Sequence, residues 1–429
     1  SPSAAPGVLL RQRRMASSSG VHTCLVLQGR ALQCWGTGRL GKTGHGNEVD
    51  TGGASDATAD SQPLVPLLSG TSPIQQVECG NTHTCVLFDS GDVQCFGDST
   101  NIGYPPGTSS FGSSSMLPAD GGGAVQFPGG RVARSIALSV SASCAVFTDG
   151  EISCWGSKST RNLGQPAAFA DRIIDPSAES VISLPSSIQG RIAQVKPMTE
   201  VGGRERTHVL TEDGEVWGWG ENPRGYLGVD HELDILDPSL AEQVHFMNNE
   251  TVLDFSLSSS FSCAVLHSGS VQCWGEGIGL GIPAPEGIGR GGSSMRLLYI
   301  GSVPLVDGLT AVSVTTGQSH ACVLLINGRV QCWGKGSATG YYTNATVPTL
   351  GTASDAADSM GFVPLPGTAT FITATGATTC AILSHGPLIC WSDLAQFGQL
   401  GVGDSVDWGA TAPLSGIPSI PLLGLPPTC

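Results

Sequence analysis

Short apolar runs broken by glycine-containing turns recur along the whole chain. In residues 85–97, Val86 and Leu87 precede Asp89-Ser90-Gly91 and Val93 follows it. Two alternating runs around such a loop predict a β-hairpin with the glycine at positive φ. The frame returns in Cys144-Ala145-Val146-Phe147…Gly150…Cys154-Trp155-Gly156 and in Cys263-Ala264-Val265-Leu266…Gly269…Cys273-Trp274-Gly275. Other copies end in Cys34-Trp35-Gly36, Cys332-Trp333-Gly334 and Cys390-Trp391-Ser392. A seventh, running from Thr207-His208 through Gly214 to Gly218-Trp219-Gly220, keeps the frame without cysteines. Anchors at 24, 85, 144, 208, 263, 322 and 380 give intervals of 61, 59, 64, 55, 59 and 58 residues. A period this regular predicts a repeat architecture and outranks any local reading. The first copy puts its glycine at Gly29 and has Arg30 where the others have glycine, so its turn should differ.

Six cysteine pairs share a separation of ten positions: Cys24–Cys34, Cys85–Cys95, Cys144–Cys154, Cys263–Cys273, Cys322–Cys332 and Cys380–Cys390. Each pair is symmetric about its turn and so directly opposed. Opposed Cα atoms in an antiparallel pair are about 4.5–5.5 Å apart, within the roughly 4.4–6.8 Å that a disulfide spans. Six cystines imply an oxidising compartment. A metal site would need ligands converging on one point, commonly through C-x-x-C knuckles, and the chain has none. Cys79 and Cys429 remain. Parity pairs them within the chain, tying the tail to the second copy, or leaves them to bond between subunits.

An aromatic follows the second cysteine position in every copy: Trp35, Phe96, Trp155, Trp219, Trp274, Trp333 and Trp391. We read this column as the large side chain packed between neighbouring units. Small glycine motifs such as Asn162-Leu163-Gly164, Tyr226-Leu227-Gly228 and Gln399-Leu400-Gly401 follow it. A glycine and a histidine often precede the first cysteine, as in Gly80…His83 and Gly317…His320, and these histidines read as structural turn residues. The whole set resembles the regulator-of-chromosome-condensation repeat family. That resemblance implies an all-β, seven-bladed propeller with a disulfide-stapled hairpin in six blades. It implies an arm over 1–14, one propeller over 15–429 and an insert in blade four over 229–249. It does not imply a function. The founding member is a nuclear nucleotide-exchange factor, and no motif here carries its exchange residues over. The cysteine-paired form looks more like secreted relatives, among which is a β-lactamase-inhibiting propeller.

Charge narrows the partners. Twenty basic against 35 acidic residues leave a net charge of −15, which repels phosphate backbones. The dense basic cluster Arg11-Gln12-Arg13-Arg14 is too short to reverse that field, so nucleic-acid binding is not expected. No apolar run of about 18 residues predicts a membrane helix. The start at Ser1, without an apolar signal core, reads as a mature or trimmed product. Asn249-Glu250-Thr251 and Asn344-Ala345-Thr346 are N-glycosylation sequons that suit a secreted glycoprotein.

Residues 36–43, from Gly36 to Thr43, match G-x-x-x-x-G-K-[ST]. The match overlaps the repeat's own Trp-Gly and Leu-Gly, and Gly44-His45-Gly46 cannot open the helix a phosphate loop needs. Nucleotide binding is therefore not expected, and no cofactor is implied. Gly53–Ala57 and Thr352–Ala356 resemble each other and carry too few acids for a calcium loop. Asp98-Ser99 and Asp404-Ser405 lack a partnering histidine and acid.

Blade four stands apart. His208 and Gly218 replace its cysteines, and Lys196, Arg204 and Arg206 cluster upstream. Its insert carries Asp230, His231, Glu232, Asp234 and Asp237 before Ser239–Val244, where a short helix and a partner surface are expected. His231-Glu232 lacks a second histidine at helical spacing, so it is no zinc-protease motif. Val8, Leu9, Leu10, Arg11, Arg13 and Arg14 of the arm, with His231, are the candidate contact residues. Three functions fit: an extracellular scaffold that binds its own copies in a coat or filament, a secreted monomeric binding or inhibitor module, and an enzyme at the propeller channel. No nucleophile–base set supports the third.

Overall fold

Each copy folds as an antiparallel sheet of three successive strands. The computed structural model of the chain describes residues 15–18, 21–27, 30–53, 58–68, 72–105, 110–113, 117–118, 123–140, 142–157, 172–173, 176, 181–199, 205–282, 301–342, 349–350, 356–359, 361–392, 398–404, 406–409, 412–420 and 422–423. Blade one is β1 (Met15–Ser18), β2 (His22–Leu27) and β3 (Ala31–Gly36). Blade two is β4 (Ile74–Cys79), β5 (His83–Phe88) and β6 (Val93–Gly97). Blade three is β7 (Ala133–Leu138), β8 (Ala142–Phe147) and β9 (Ile152–Ser157), with β10 (Arg172–Ile173) outside it. Blade four is β11 (Ile192–Thr199), β12 (Glu205–Thr211), β13 (Val216–Gly220) and β14 (Glu242–Gln243). Blade five is β15 (Val252–Leu257), β16 (Phe261–Leu266) and β17 (Val271–Gly275). Blade six is β18 (Ala311–Thr316), β19 (His320–Leu325) and β20 (Val330–Gly334), and blade seven is β21 (Ala369–Thr375), β22 (Thr378–Leu383) and β23 (Leu388–Ser392).

The inner strands touch in a closed cycle: β1 with β4, then β7, β11, β15, β18, β21 and back to β1. Seven sheets therefore stand around one channel. Every residue of the seven middle strands is buried, because each sheet is sandwiched between two neighbours. Most middle strands open on polar residues that are buried too, such as His83 and Thr84, and continue as an apolar run, such as Cys85–Phe88, whereas the inner strands mix buried and half-buried positions, as in Ile74–Cys79. Six blades share a register shift between inner and middle strand, as at Ile74/Gln76 and Ala311/Ser313. A bulge there increases twist, which lets each sheet fan outward from the axis.

The hairpin turns follow the sequence. Gly91 has φ 85°, its N–H donates to Phe88 O at 2.8 Å, and Phe88 N–H donates to Asp92 O at 2.9 Å. All six ten-residue cysteine pairs are disulfide-bonded, with Cα atoms 4.0–4.1 Å apart. That is closer than the opposed-pair expectation, since each cystine occupies a non-hydrogen-bonded pair, where strands approach most.

A second sevenfold pattern covers the outer edge. One aliphatic N–H per blade donates to the carbonyl of the third strand near its start: Val65 to Leu32, Val125 to Val93, Ile182 to Ile152, Val244 to Val216, Val303 to Val271, Val363 to Val330 and Ile420 to Leu388, at 2.7–3.0 Å. Ile420 thus fastens blade seven, while Met15–Ser18 supplies the inner strand of blade one. The seam between them is closed by Thr23 Oγ1 and Trp35 Nε1, both donating to Gln399 O, and by Ala59 N–H donating to Gly401 O.

Candidate interaction surface on blade four

Most recurring side chains are consumed in holding blade to blade. Trp35, Trp274, Trp333 and Trp391 each donate Nε1–H to a backbone carbonyl of the preceding blade, at 2.8–3.1 Å. The motif glycines lie on these rings: a Cβ on Gly401 would come 2.7 Å from Trp35 Nε1, and one on Gly228 would come 2.8 Å from Trp274 Cδ1. The recurring histidine opens the middle strand instead of sitting in a turn. There it bonds a hydroxyl of the next blade: His22 to Thr84 and His83 to Ser143 at 2.8 Å, His320 to Thr379 at 2.7 Å. These imidazole–hydroxyl pairs are fully buried, so no substrate meets them. Burial lowers His83 and His320 to about 4.

The channel is lined by the inner strands. Its charged groups are engaged in place. Glu78 Oε1 accepts from Gln76 Nε2 at 2.8 Å, and Asp254 Oδ2 accepts from Val314 N–H at 3.1 Å. Lys196 Nζ donates to Phe255 O and lies 4.5 Å from the Phe255 ring centre. One mouth opens a cavity of about 300 Å³ lined by Asn81, Ser139, Thr199, Ser258 and Gln318, where Ser139 Oγ and Thr199 Oγ1 are 3.1 Å apart.

Cys79 is buried beside His22 and Cys24, their ligand atoms lying within 4.8 Å of one another. Cys24 is held in its cystine, so the trio does not make a metal ligand set. Burial pushes the Cys79 thiol far up, against a hydrogen bond from Thr84 that lowers it. The phosphate-loop match takes another shape: Gly36 ends β3, and residues 39–41 form a 3-10 turn with Leu40 at φ 64°. Lys42 is turned inward, its Nζ donating to Asn81 O at 3.2 Å.

Among the described residues, three of the exposed large aliphatic side chains fall together in the outer segment of blade four. Ile235 bridges Gly220, β14 pairs with Trp217 and Gly218, and Val244 fastens the edge. No helix forms over 239–244. Asp237 Oδ1 caps Ser239 N–H at 2.9 Å, Pro238–Leu240 make a single 3-10 turn, and the chain then straightens because the unpaired edge of β13 takes Glu242–Gln243 as a strand. With Ile235 turned inward, Leu233, Leu236 and Leu240 are 71%, 44% and 66% exposed. They sit among Asp230, Glu232, Asp234, Asp237 and Glu242. His231 Nε2 is 3.1 Å from Glu242 Oε2, and its Nδ1 accepts from Leu233 N–H at 3.1 Å. Gln243 of β14 borders a cavity of about 330 Å³ that is also lined by Glu215, Val244, His245, Phe246 and Glu250.

Sequence reasoning marked the segment by its acids and His231 and missed the leucines. Their i, i+3, i+7 spacing in a polar stretch was the available signal. Asn249 of the first sequon is exposed, at φ 53°. Asn344, Cys429 and the arm residues Val8, Leu9, Leu10, Arg11, Arg13 and Arg14 lie outside the described residues, so their roles rest on the sequence alone.

The regulator of chromosome condensation (RCC1) repeat matches residues 32–87, 74–101 and 311–338. The ultraviolet-B receptor UVR8 of Arabidopsis thaliana is 26% identical over 304 residues, 60% of this chain and 63% of the receptor. The human E3 ubiquitin-protein ligase HERC2 is 24% identical over 263 residues, 60% of this chain and 5% of the ligase. The chain thus spans less than two thirds of these relatives. Among solved structures, yeast RCC1 (Prp20) bound to Kap60 superposes with a TM-score of 0.66 at 16% identity, covering 93% of this chain and 86% of that one. Human WBSCR16 gives 0.60 at 18% identity, with 84% of each chain covered.

Proposed function

We propose that the chain, a seven-bladed propeller that carries RCC1 repeats over residues 32–101 and 311–338, is a non-catalytic extracellular scaffold that binds proteins, its own copies first. Protein binding is a use of this fold, as in yeast RCC1 with Kap60. The observation that carries the reading is the exposed Leu233–Leu240 patch in its acidic surround on blade four. Three large aliphatic side chains on one surface segment are a feature of contact surfaces. The six cystines support an oxidising, extracellular setting. They staple hairpins that already form, which suits a subunit that must not fray outside the cell.

Light scattering across concentration, with negative-stain imaging, tests the reading on the full chain and on a chain lacking residues 1–14. Filaments or defined oligomers that vanish with the arm support a structural subunit. A monomer at every concentration overturns self-assembly and leaves the secreted binding module, for which the same leucines would be the contact.

A further inference from the structure

We infer that residues 8–14 of one copy dock on the outer segment of blade four of another. This rests on the self-association reading and names the two surfaces that meet. Residues 229–250 hold six acids (Asp230, Glu232, Asp234, Asp237, Glu242 and Glu250) and neither lysine nor arginine. In a chain of −15 net charge, the one dense basic run is Arg11, Arg13 and Arg14, directly after Val8-Leu9-Leu10. An apolar triplet followed by arginines is the complement of exposed leucines followed by carboxylates.

Local geometry carries the match further. The cavity beside β14 is lined by Glu215 and Glu250 together with Val244, His245 and Phe246. Glu215 Oε2 accepts from Trp217 Nε1 at 3.2 Å, and Glu250 Oε2 accepts from Ser268 N–H at 2.9 Å. Each carboxylate has room for about four donors, so these bonds orient the groups and leave capacity for a guanidinium. Arginine suits such a site, since its fork bonds carboxylates bidentately while its stem lies on apolar surface.

The ring sets the consequence. The arm leads into β1 of blade one, and blade four stands three blades away across the channel. An arm-to-edge contact joins unlike surfaces of the two copies, so it propagates head to tail as a closed ring or a filament.

Sedimentation velocity of the full chain at low and physiological salt provides the test, with two charge-reversed variants checked for native fold by circular dichroism. Arg11→Glu/Arg13→Glu/Arg14→Glu and Glu232→Lys/Asp234→Lys/Asp237→Lys should each weaken association about tenfold or more at low salt. An equimolar mixture of the two should recover it, because the reversed arm then meets a reversed edge. Association that survives both variants, or a mixture that does not recover, overturns the docking pair while self-assembly stands. Wild-type chain that is monomeric throughout overturns the self-association reading, and the docking pair with it.

Discussion

His208 faces Gly218 across the blade-four hairpin, in the register that the other six hairpins give to a cystine. The two residues are matched in volume: a Cβ on Gly218 would come 2.9 Å from His208 Cδ2 and Nε2. The imidazole occupies the room of the missing sulfurs, and its Nε2 bonds Leu227 O at 3.1 Å. Gly218→Ala alone should therefore cost about 1–3 kcal/mol by overpacking. His208→Cys with Gly218→Cys should close a seventh cystine, found as a 208–218 linkage in non-reducing peptide maps. Closing a loop of this size adds at most about 2.7 kcal/mol, offset by about 1 kcal/mol for the lost His208 bond. A double variant that keeps both thiols reduced under air would show that the blade-four register differs from its sisters.

Acid should destabilise the ring through its seams. Burial holds His22 well below the usual imidazole range, lowers His83 and His320 to about 4, and lowers His208 to about 3 with help from the Arg206 charge. Unfolded imidazoles titrate near ~6.5. Below that pH the unfolded chain takes up protons that the folded seams refuse, so stability is full above ~6.5 and falls as pH drops toward the folded values. Each buried histidine contributes a slope of about 1.4 kcal/mol per pH unit. Urea unfolding between neutral pH and about pH 4.5 reads it, and His83→Gln should reduce the slope by one histidine's share. An unchanged slope in that variant would mean that His83 is protonated in the folded ring.

Much of the ring was legible because its signals are local. Cys85, Gly91, Cys95 and Phe96 sit in one hairpin, so their spacing alone gives turn, register and sulfur pairing. The seam chemistry was not, because it joins residues about sixty apart: His83 reaches Ser143, and His22 reaches Thr84. The reading of these histidines as turn residues failed for that reason. The edge residues were also overlooked, although Val65-Pro66, Val303-Pro304 and Val363-Pro364 repeat the cue of a bonded N–H followed by a residue with none. At blade four the acids announced a surface, but only the inward turn of Ile235 showed that Leu233 and Leu236 face out.

The glycine that seats Trp35 should be among the costliest to change. Gly401 has φ 73°, and an added Cβ would lie 2.7 Å from Trp35 Nε1 at the seam joining the last blade to the first. Gly401→Ala combines an overpacking cost of about 1–3 kcal/mol with roughly 1 kcal/mol for a left-handed non-glycine residue. Gly130 provides the control, with φ 68° and nothing within 4 Å of an added Cβ. Gly130→Ala should show the backbone cost alone. Equal melting temperatures for the two variants would mean that the Trp35 seam relaxes freely and does not limit stability.

Lys42 separates the structural reading of residues 36–43 from a phosphate-binding one. Burial lowers its pKa to about 8, assisted by Arg39 and opposed by Asp50. The folded chain thus holds a charged ammonium less well than the unfolded chain, in which lysine titrates near ~10.4. Lys42→Met keeps the length of the side chain and removes that penalty, at the loss of one bond to Asn81 O. The variant should be more stable than wild type at neutral pH. Its advantage should shrink as pH rises from about 8 toward ~10.4, where wild type sheds the proton in both states. Thermal melts across that range read the sign, and equilibrium dialysis with Mg-ATP should show no binding by either chain. ATP binding that Lys42→Met abolishes would return the lysine to a phosphate-binding role; a stabilised variant without ATP binding assigns it to the blade packing.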